Sequence, residues 1–474
     1  MSEKIFGRQD EIARLRSCSV SNEAELVIVY GRRRVGKTFL IRQCFGNKFA
    51  FNFVGAYNMP TKCQLENFAI ALFEQSGQSR PIPKNWPEAF RQLREHLELS
   101  HQKEKLIVFF DEMPWMDTGR SHFLSAFEYF WNAWGSMRSN LMFIVCGSAT
   151  AWITNKLLRN KGGLYNRATE RIYLHPFTLK ETEQYLRFKK IKWSRYDIAE
   201  CYMVMGGIPF YLKLLDPEKT YTQNIDRLFF SSKAILKDEF FSLYRTLFNN
   251  AEVYEQIVGA LSTKRIGLTR SEITKLTGIS DNGKLTAMLN NLAGCDFIRP
   301  YNYYGSKKRG LVYQLADYYT LFYLNFLKDL HGVDENYWTK TLDNPARRAW
   351  AGYAFEQVCK DHLQQIKRSM GIGSVLNEYS SWYGKNEDDR WAQIDLVIDR
   401  RDRVINLCEI KFSQNPFLID KDYDMRLRNK MAAFQYATKT RKALHLTMIT
   451  TFGVQQNTYS SIVQSQVTID DMFE

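Results

Sequence analysis

Glu25–Phe45, ELVIVYGRRRVGKTFLIRQCF, is the stretch on which the reading of the fold turns. An apolar run from Leu26 to Tyr30 stops at Gly31. From there Gly31-Arg32-Arg33-Arg34-Val35-Gly36-Lys37-Thr38 matches G-x-x-x-x-G-K-[ST] at every fixed position. Phe39, Leu40, Ile41 and Phe45, set among Arg42 and Gln43, continue at helical spacing, so the pattern sits between a strand and a helix. Gly31 and Gly36 let backbone N–H groups curl around phosphate oxygens, and the helix N-terminus adds its positive dipole end. Lys37 is expected to reach the β- and γ-phosphates, and the Thr38 hydroxyl to hold Mg²⁺. This is a nucleotide-binding loop for ATP and Mg²⁺, running from Gly31 through Arg32, Arg33, Arg34, Val35, Gly36, Lys37 and Thr38 to Phe39.

Working outward, Leu106-Ile-Val-Phe-Phe110 is a second apolar run, and it ends on Asp111-Glu112. A buried parallel strand that delivers two acids to its carboxyl end fits a nucleotide site. Asp111 would accept from Mg²⁺-bound water, and Glu112 would orient and deprotonate the attacking water. A third run, Leu141–Cys146, ends on Gly147-Ser148, where Ser148 either senses the γ-phosphate or simply caps its strand. Strands also read at Phe49–Val54 and Thr169–Leu174. Helices are expected at Thr61–Glu74, Glu88–Leu99 and the aromatic-rich Ser121–Met137, with Arg80–Pro87 a proline loop between. Alternating strands and helices over 25–175 argue an α/β layer with a parallel sheet.

The full chain of 474 residues exceeds what one hydrophobic core supports, so about three domains are expected. With 45% hydrophobic and 24% charged residues the composition is that of a soluble globular protein. No apolar run reaches the ~20 residues needed to span a bilayer, and the N-terminus lacks a signal-peptide core. The eight cysteines form neither a C-x-x-C pair nor a zinc pattern, which fits reduced thiols in a cytoplasm. The net charge of +14 is uneven, with 47 Lys+Arg against 34 Asp+Glu in residues 1–340 and 18 against 17 beyond. A basic body suggests a polyanion partner.

Residues 178–248 read as helices, interrupted at Met205–Phe210. Val253–Leu261, a capped helix from Leu268, a turn at Gly278–Ser280 and Asp281–Ala293 then precede strands Phe297–Tyr303 and Gly310–Gln314. The connection Tyr304–Arg309 carries Lys307, Lys308 and Arg309. Helix, helix, turn, helix and a basic hairpin is a winged helix-turn-helix pattern. After an aromatic helix from Tyr318 to Leu330 and a joint at Asp334–Arg348, a last domain is expected. It comprises helix Ala346–Ile366, strands Trp391–Ile398 and Val404–Phe412, helix Arg426–Ala437 and strand Ala443–Thr450.

Taken together these motifs resemble, over essentially the whole chain, a prokaryotic ATPase family best represented in archaea. Its members join an AAA+/STAND-like P-loop ATPase to a winged helix and a C-terminal domain. The resemblance implies that Phe6, Gly7 and Arg8, with Glu11, pack against the adenine. It also implies that the Gly207-Ile208-Pro209 turn sits in a lid across the base. Arg167 is similar to an arginine finger, with Arg171 a competing candidate, and the resemblance admits a homo-oligomer. The implied domains are an ATPase domain at 1–175, a helical lid at 176–249, a winged helix with its following helix at 250–340, and a C-terminal domain at 341–474.

That last domain looks like a PD-(D/E)xK nuclease core, and spacing adds to the resemblance. A hairpin centred near Asp402 sets Asp395 opposite Glu409, with their Cβ atoms about 5 Å apart, so that one Mg²⁺ could bridge both carboxylates. Lys411, two residues on, shares that face and would orient the attacking water. Glu356 could complete the metal site. Lys430 and Gln435 match assisting positions in that superfamily. Three readings follow: an ATP-dependent DNA nuclease or nuclease switch, a DNA-binding ATPase regulator with an inactive nuclease fold, and an ATP-switched protein-interaction module.

Overall fold

The computed structural model describes every residue except 1–4, 101–103, 159–162, 165, 249, 307–310, 331 and 333. The basic Lys307, Lys308 and Arg309 therefore lie outside the described residues. The chain divides into two compact units, Met1–Pro176 and Phe177–Glu474.

In the first unit α1 (Gln9–Val20) precedes β1 (Glu25–Tyr30) and α2 (Lys37–Cys44). Then come β2 (Phe51–Val54), α3 (Thr61–Ser76), α4 (Trp86–Glu98), β3 (Leu106–Asp111), α5 (Phe123–Ala133), β4 (Leu141–Gly147) and β5 (Glu170–Tyr173). The five strands form one parallel sheet in the order β2-β3-β4-β1-β5. This is the α/β fold with a parallel sheet that the alternating elements predict. Its strands are hydrophobic on both faces because both are covered, and every residue of β4 is buried. Phe53, Phe68, Trp86, Phe90, Phe110, Phe123 and Phe127 form a continuous aromatic core between sheet and helices. Full burial of each such ring contributes about 1.5–3 kcal/mol.

Two expectations shift. The Arg80–Pro87 loop ends earlier, because Asn85 caps α4 by accepting the Glu88 N–H at 2.9 Å and Pro87 falls in the first helical turn, where no N–H is needed. Trp86 is thereby carried into the core. The long aromatic helix is shorter than its spacing predicts, with a separate 3₁₀ turn at Gly135–Met137.

The second unit opens with helices α6 (Leu179–Phe188) and α7 (Arg195–Met205), then α8 (Glu239–Leu247) and α9 (Ala251–Ser262). β6 (Leu268–Thr269), α10 (Arg270–Thr277), α11 (Gly283–Gly294), β7 (Ile298–Asn302) and β8 (Leu311–Leu315) follow, and the three strands pair in the order β6-β8-β7. Thr269 and Glu272 form a capping box that starts α10. α12 (Tyr318–Phe326) leads to α13 (Pro345–Asp361) and α14 (Leu363–Ser369). The single helix expected over 346–366 breaks at His362, whose Nε2 accepts the Leu179 N–H at 2.9 Å.

The C-terminal sheet runs β13-β12-β11-β10-β9, with β9 (Asn377–Lys385), β10 (Trp391–Arg400), β11 (Val404–Lys411), β12 (Ala443–Thr450) and β13 (Ser465–Val467). β9 to β11 are antiparallel, and β11 to β13 parallel. α15 (Lys421–Thr438) packs on one face through Phe434, against Trp382, Ile394, Val397, Ile405 and Leu407. The sequence reading contains neither β9 nor β13. No described helix is long and apolar enough to cross a membrane.

Candidate functional site

β1, β3 and β4 are adjacent in the parallel sheet, so their carboxyl ends bring Gly31, Asp111 and Gly147 to one edge. Gly31 leaves β1 at φ +142°, and a Cβ there would come 2.5 Å from the Leu174 carbonyl oxygen. Only glycine allows β5 to approach so closely. Arg34 (φ 72°) and Gly36 (φ 91°) complete the turn into α2 in left-handed conformations. Arg32 and Val35 are buried, whereas Arg33, Arg34, Thr38 and Phe39 are half-buried.

The loop and the two strand ends share one hydrogen-bond network. Lys37 Nζ donates to the carbonyls of Gly31 (3.1 Å) and Arg32 (2.8 Å) and to Ser148 Oγ (3.0 Å). Ser148 Oγ donates to Glu112 Oε1 at 2.6 Å, and the Ser148 N–H donates to Glu112 Oε2 at 3.0 Å. Thr38 Oγ1 donates to Asp111 Oδ2 at 2.8 Å, while Asp111 Oδ1 accepts the Glu112 N–H at 3.0 Å. Burial pushes the Asp111 carboxyl pKa up, and the Thr38 hydrogen bond works against that rise. Glu112 turns back on itself with φ 46°. That turn depends on Gly55, where a Cβ would meet the Glu112 carbonyl oxygen at 2.6 Å. The Thr38 hydroxyl and Asp111 carboxylate are adjacent hard oxygen donors, a set that suits Mg²⁺. Bound there, Mg²⁺ would neutralise charge developing on a transferring phosphoryl group.

The other expected nucleotide-binding residues fall in separate places. Gly7 (φ 59°) and Arg8 (φ 58°) turn the chain into α1, and buried Arg8 donates to the His175 carbonyl at 2.5 Å. Phe6 is half-buried beside them. Pro209 opens a short helix after Gly206 and Gly207 in the second unit. Arg167 and Arg171 are both exposed, and Arg171 reaches Asn166 at 3.5 Å.

A second cluster lies on the C-terminal sheet. Leu396 faces Cys408 and Asp399 faces Ile405, and Asp395 and Glu409 are the next residues along β10 and β11. Asp395 Oδ2 accepts the Ile410 N–H at 3.2 Å. Glu409 Oε1 accepts the Tyr423 hydroxyl at 2.7 Å and lies 3.0 Å from Lys411 Nζ, while Oε2 accepts Lys430 Nζ at 2.7 Å. Burial opposes the Glu409 charge, but Lys411 and Lys430 together hold its carboxyl below the usual range. Asp395 is pushed up by burial and by Glu409. Burial, with Asp395 next, raises Glu356 to about 8, and burial lowers Lys360 to about 8.

Asp395 and Glu409 are hard oxygen donors of the kind a divalent cation takes. Among the described residues, however, no group of three or more His, Cys, Asp or Glu is gathered to hold a metal. Asp395 acts on the Glu356 carboxyl, and Glu409 is engaged by two ammonium groups and a phenol. Gln435 is exposed on α15. Sequence reasoning missed Tyr423 and Lys360. Tyr423 lies seven residues before Lys430, two helical turns along the same face of α15, and that spacing was the available signal.

Residues 5–215 match a family described as an ATPase domain predominantly from Archaea. An uncharacterized protein of Methanocaldococcus jannaschii, MJECL04, is 23% identical over 420 residues, covering 88% of both chains. The Walker-type ATPase PABY2304 of Pyrococcus abyssi is 20% identical and covers 68% of this chain and 97% of its own, at a TM-score of 0.49. The Aeropyrum pernix ORC2 protein is 13% identical, covering 68% and 95%, at a TM-score of 0.42. With its P-loop, paired acids and parallel five-stranded sheet, the segment 5–215 is an ATPase domain of the archaeal type.

Proposed function

We propose that the chain is an Mg²⁺-dependent ATPase that acts on DNA through residues 250–340 and cleaves it in a metal-dependent reaction at Asp395, Glu409 and Lys411. In the ATPase step Lys37 binds the β- and γ-phosphates, Thr38 and Asp111 hold Mg²⁺, and Glu112 orients the attacking water, with Ser148 beside the γ-phosphate. Phe6, Gly7 and Arg8 border the adenine, and Arg167 serves a neighbouring copy in a homo-oligomer. Residues 250–340 act as a winged helix, with α11 in a groove and Lys307, Lys308 and Arg309 on backbone phosphates.

The observation that supports the nuclease reading is the β10–β11 pairing of Leu396 with Cys408, which neighbour Asp395 and Glu409 in the chain, with Lys411 Nζ 3.0 Å from Glu409. Two acids and one ammonium at that spacing suit metal-assisted attack of water on a phosphodiester. The engagement of Glu409 by Lys411, Lys430 and Tyr423 favours a second reading, an ATP-driven DNA-binding regulator whose C-terminal acids form a structural ion cluster.

Incubating the purified protein with plasmid and single-stranded DNA, with and without ATP, in Mg²⁺ or Mn²⁺ separates the two. Cutting that requires metal and is lost in Asp395→Ala supports the nuclease. ATP-modulated DNA binding without cutting in either metal supports the regulator.

A further inference from the structure

A groove of about 770 Å³ lies within the second unit, between α8, α9, the end of α10 and α12. Its wall carries Phe240 stacked on Tyr323, with ring centroids 4.2 Å apart, and its mouth carries Phe241 and Leu276, 41% and 56% exposed. Neither the nucleotide loop nor the Asp395–Glu409 cluster uses these residues.

α9 turns one stripe toward this groove. Glu252, Glu255, Gln256, Gly259, Ala260 and Thr263 all line it, spaced as i, i+3, i+4, i+7, i+8 and i+11 of a single helix face. At the rise of an α-helix the stripe is about 17 Å long, or three turns. Its second half is nearly bare of side chains. Gly259 sits in the interior of α9, where glycine is roughly 0.5–1 kcal/mol worse than alanine, yet a Cβ there would meet nothing within 4 Å. Nothing among the described residues needs that space, so the missing side chain matters only to a chain that approaches from outside.

The groove is acidic on a basic chain. Glu252 and Glu255 line it, and the Tyr323 hydroxyl is pushed up by burial and then by Asp238, Glu255 and Asp329, which sets those acids near the ring. The lining places Lys328 against them. With a Debye length of about 8 Å at physiological salt, such a patch acts locally even though the whole chain carries +14. It favours cations that arrive beside an apolar surface. A helix suits the space because its walls are helices, and packed helix axes lie about 8–10 Å apart, an approach that a bare Gly259 permits. We propose that this groove docks an amphipathic α-helix of a partner protein, with its apolar stripe over Phe241, Leu276 and Tyr323 and its Lys or Arg side chains against Glu252 and Glu255. The partner backbone crosses α9 at Gly259, where no side chain holds it away.

The test uses the full chain as bait for a displayed library of helix-forming peptides, and then titrates a synthetic enriched peptide by fluorescence anisotropy. Enriched peptides are expected to carry apolar residues at i, i+3 or i+4 and i+7, with Lys or Arg beside them. Gly259→Trp fills the groove from a position where its Cβ meets no neighbour, so it should keep the unfolding midpoint and weaken the peptide about 10-fold or more. Glu252→Lys combined with Glu255→Lys reverses the local charge and should also weaken it about 10-fold. That pair carries the test if Gly259→Trp fails to fold. Enrichment of acidic or uncharged peptides, binding unchanged in either folded variant, or no enrichment at all overturns the proposal. Self-association of the chain that Gly259→Trp abolishes overturns it too, because a second copy would then be the occupant.

Discussion

Glu112 holds Ser148 at two points, with Oε1 accepting the side-chain hydroxyl at 2.6 Å and Oε2 accepting the backbone N–H at 3.0 Å. Because Ser148 Oγ also accepts from Lys37, one hydroxyl ties the end of β4 to the P-loop lysine and to the acid after β3. Glu112→Gln retains the volume but not the charge needed to deprotonate water. Its ATP turnover should fall about 10²- to 10⁴-fold while ATP still binds. Ser148→Ala removes the link but neither end, so a smaller loss is expected. Turnover equal to wild type in Glu112→Gln, by phosphate release, would remove Glu112 from the mechanism.

Gly31→Ala tests the seating of the loop. The added methyl would meet the Leu174 oxygen at 2.5 Å, at a φ that other residues avoid. Nucleotide binding should be lost and the unfolding midpoint of the ATPase domain lowered, whereas Gly77→Ala, with open space around it despite its φ of +66°, should leave nucleotide binding intact. Fluorescent-nucleotide titration and thermal unfolding read both.

Changing Lys307, Lys308 and Arg309 together to Ala should weaken DNA binding for all sequences. The slope of log K against log salt should flatten by about 0.9 for each DNA phosphate that is no longer neutralised. An unchanged slope would assign the segment to another partner.

Asp395→Ala and Glu409→Gln act differently on the C-terminal cluster. Without the Glu409 charge, the half-buried Lys411 and Lys430 lose their shared partner. Glu409→Gln should therefore destabilise the domain by about 1–3 kcal/mol. Asp395→Ala removes a carboxyl whose charged form is already disfavoured, so its stability cost should be smaller. Both should lower Mn²⁺ affinity, read by calorimetry. A Glu409→Gln protein as stable as wild type would show that the two lysines are not held by that acid.

Glu200 makes stability depend on pH. Its folded pKa of about 7 lies above its ordinary 4.5, so the folded state holds the proton more tightly. The stabilisation is complete below about pH 4.5 and is lost as pH rises through 7. Over that window it amounts to roughly 3 kcal/mol. Glu200→Gln has no proton to lose, so its unfolding midpoint should rise relative to wild type between pH 5 and 8. Parallel midpoint curves for the two proteins would rule the effect out.

Much of both candidate sites was legible in the sequence because each depends on contiguous residues. The glycine loop needs only its own φ angles, the strand before it and the helix after it, all within Glu25–Phe45. Asp395 and Glu409 could be matched because a short antiparallel hairpin fixes register by counting from its turn, and Leu396 does face Cys408. β9 was not legible. Asn377–Lys385 has only two fully buried positions, Ser381 and Trp382, and as an edge strand it needs no regular apolar alternation.

The sequence by itself determined the parallel α/β layer, the nucleotide loop and the β10–β11 hairpin, since local propensity, alternation and turn geometry act over a few residues. Only the tertiary structure decided which distant groups meet. Ser148 reaches Lys37 across 111 positions because β4 lies beside β1, and Glu200 meets Arg347 because α7 and α13 pack together. It also decided how each charge is answered. Lys430 and Tyr423 answer Glu409, and Glu200 with the Trp338 carbonyl answers Arg347, outcomes of packing that no periodicity in the chain encodes.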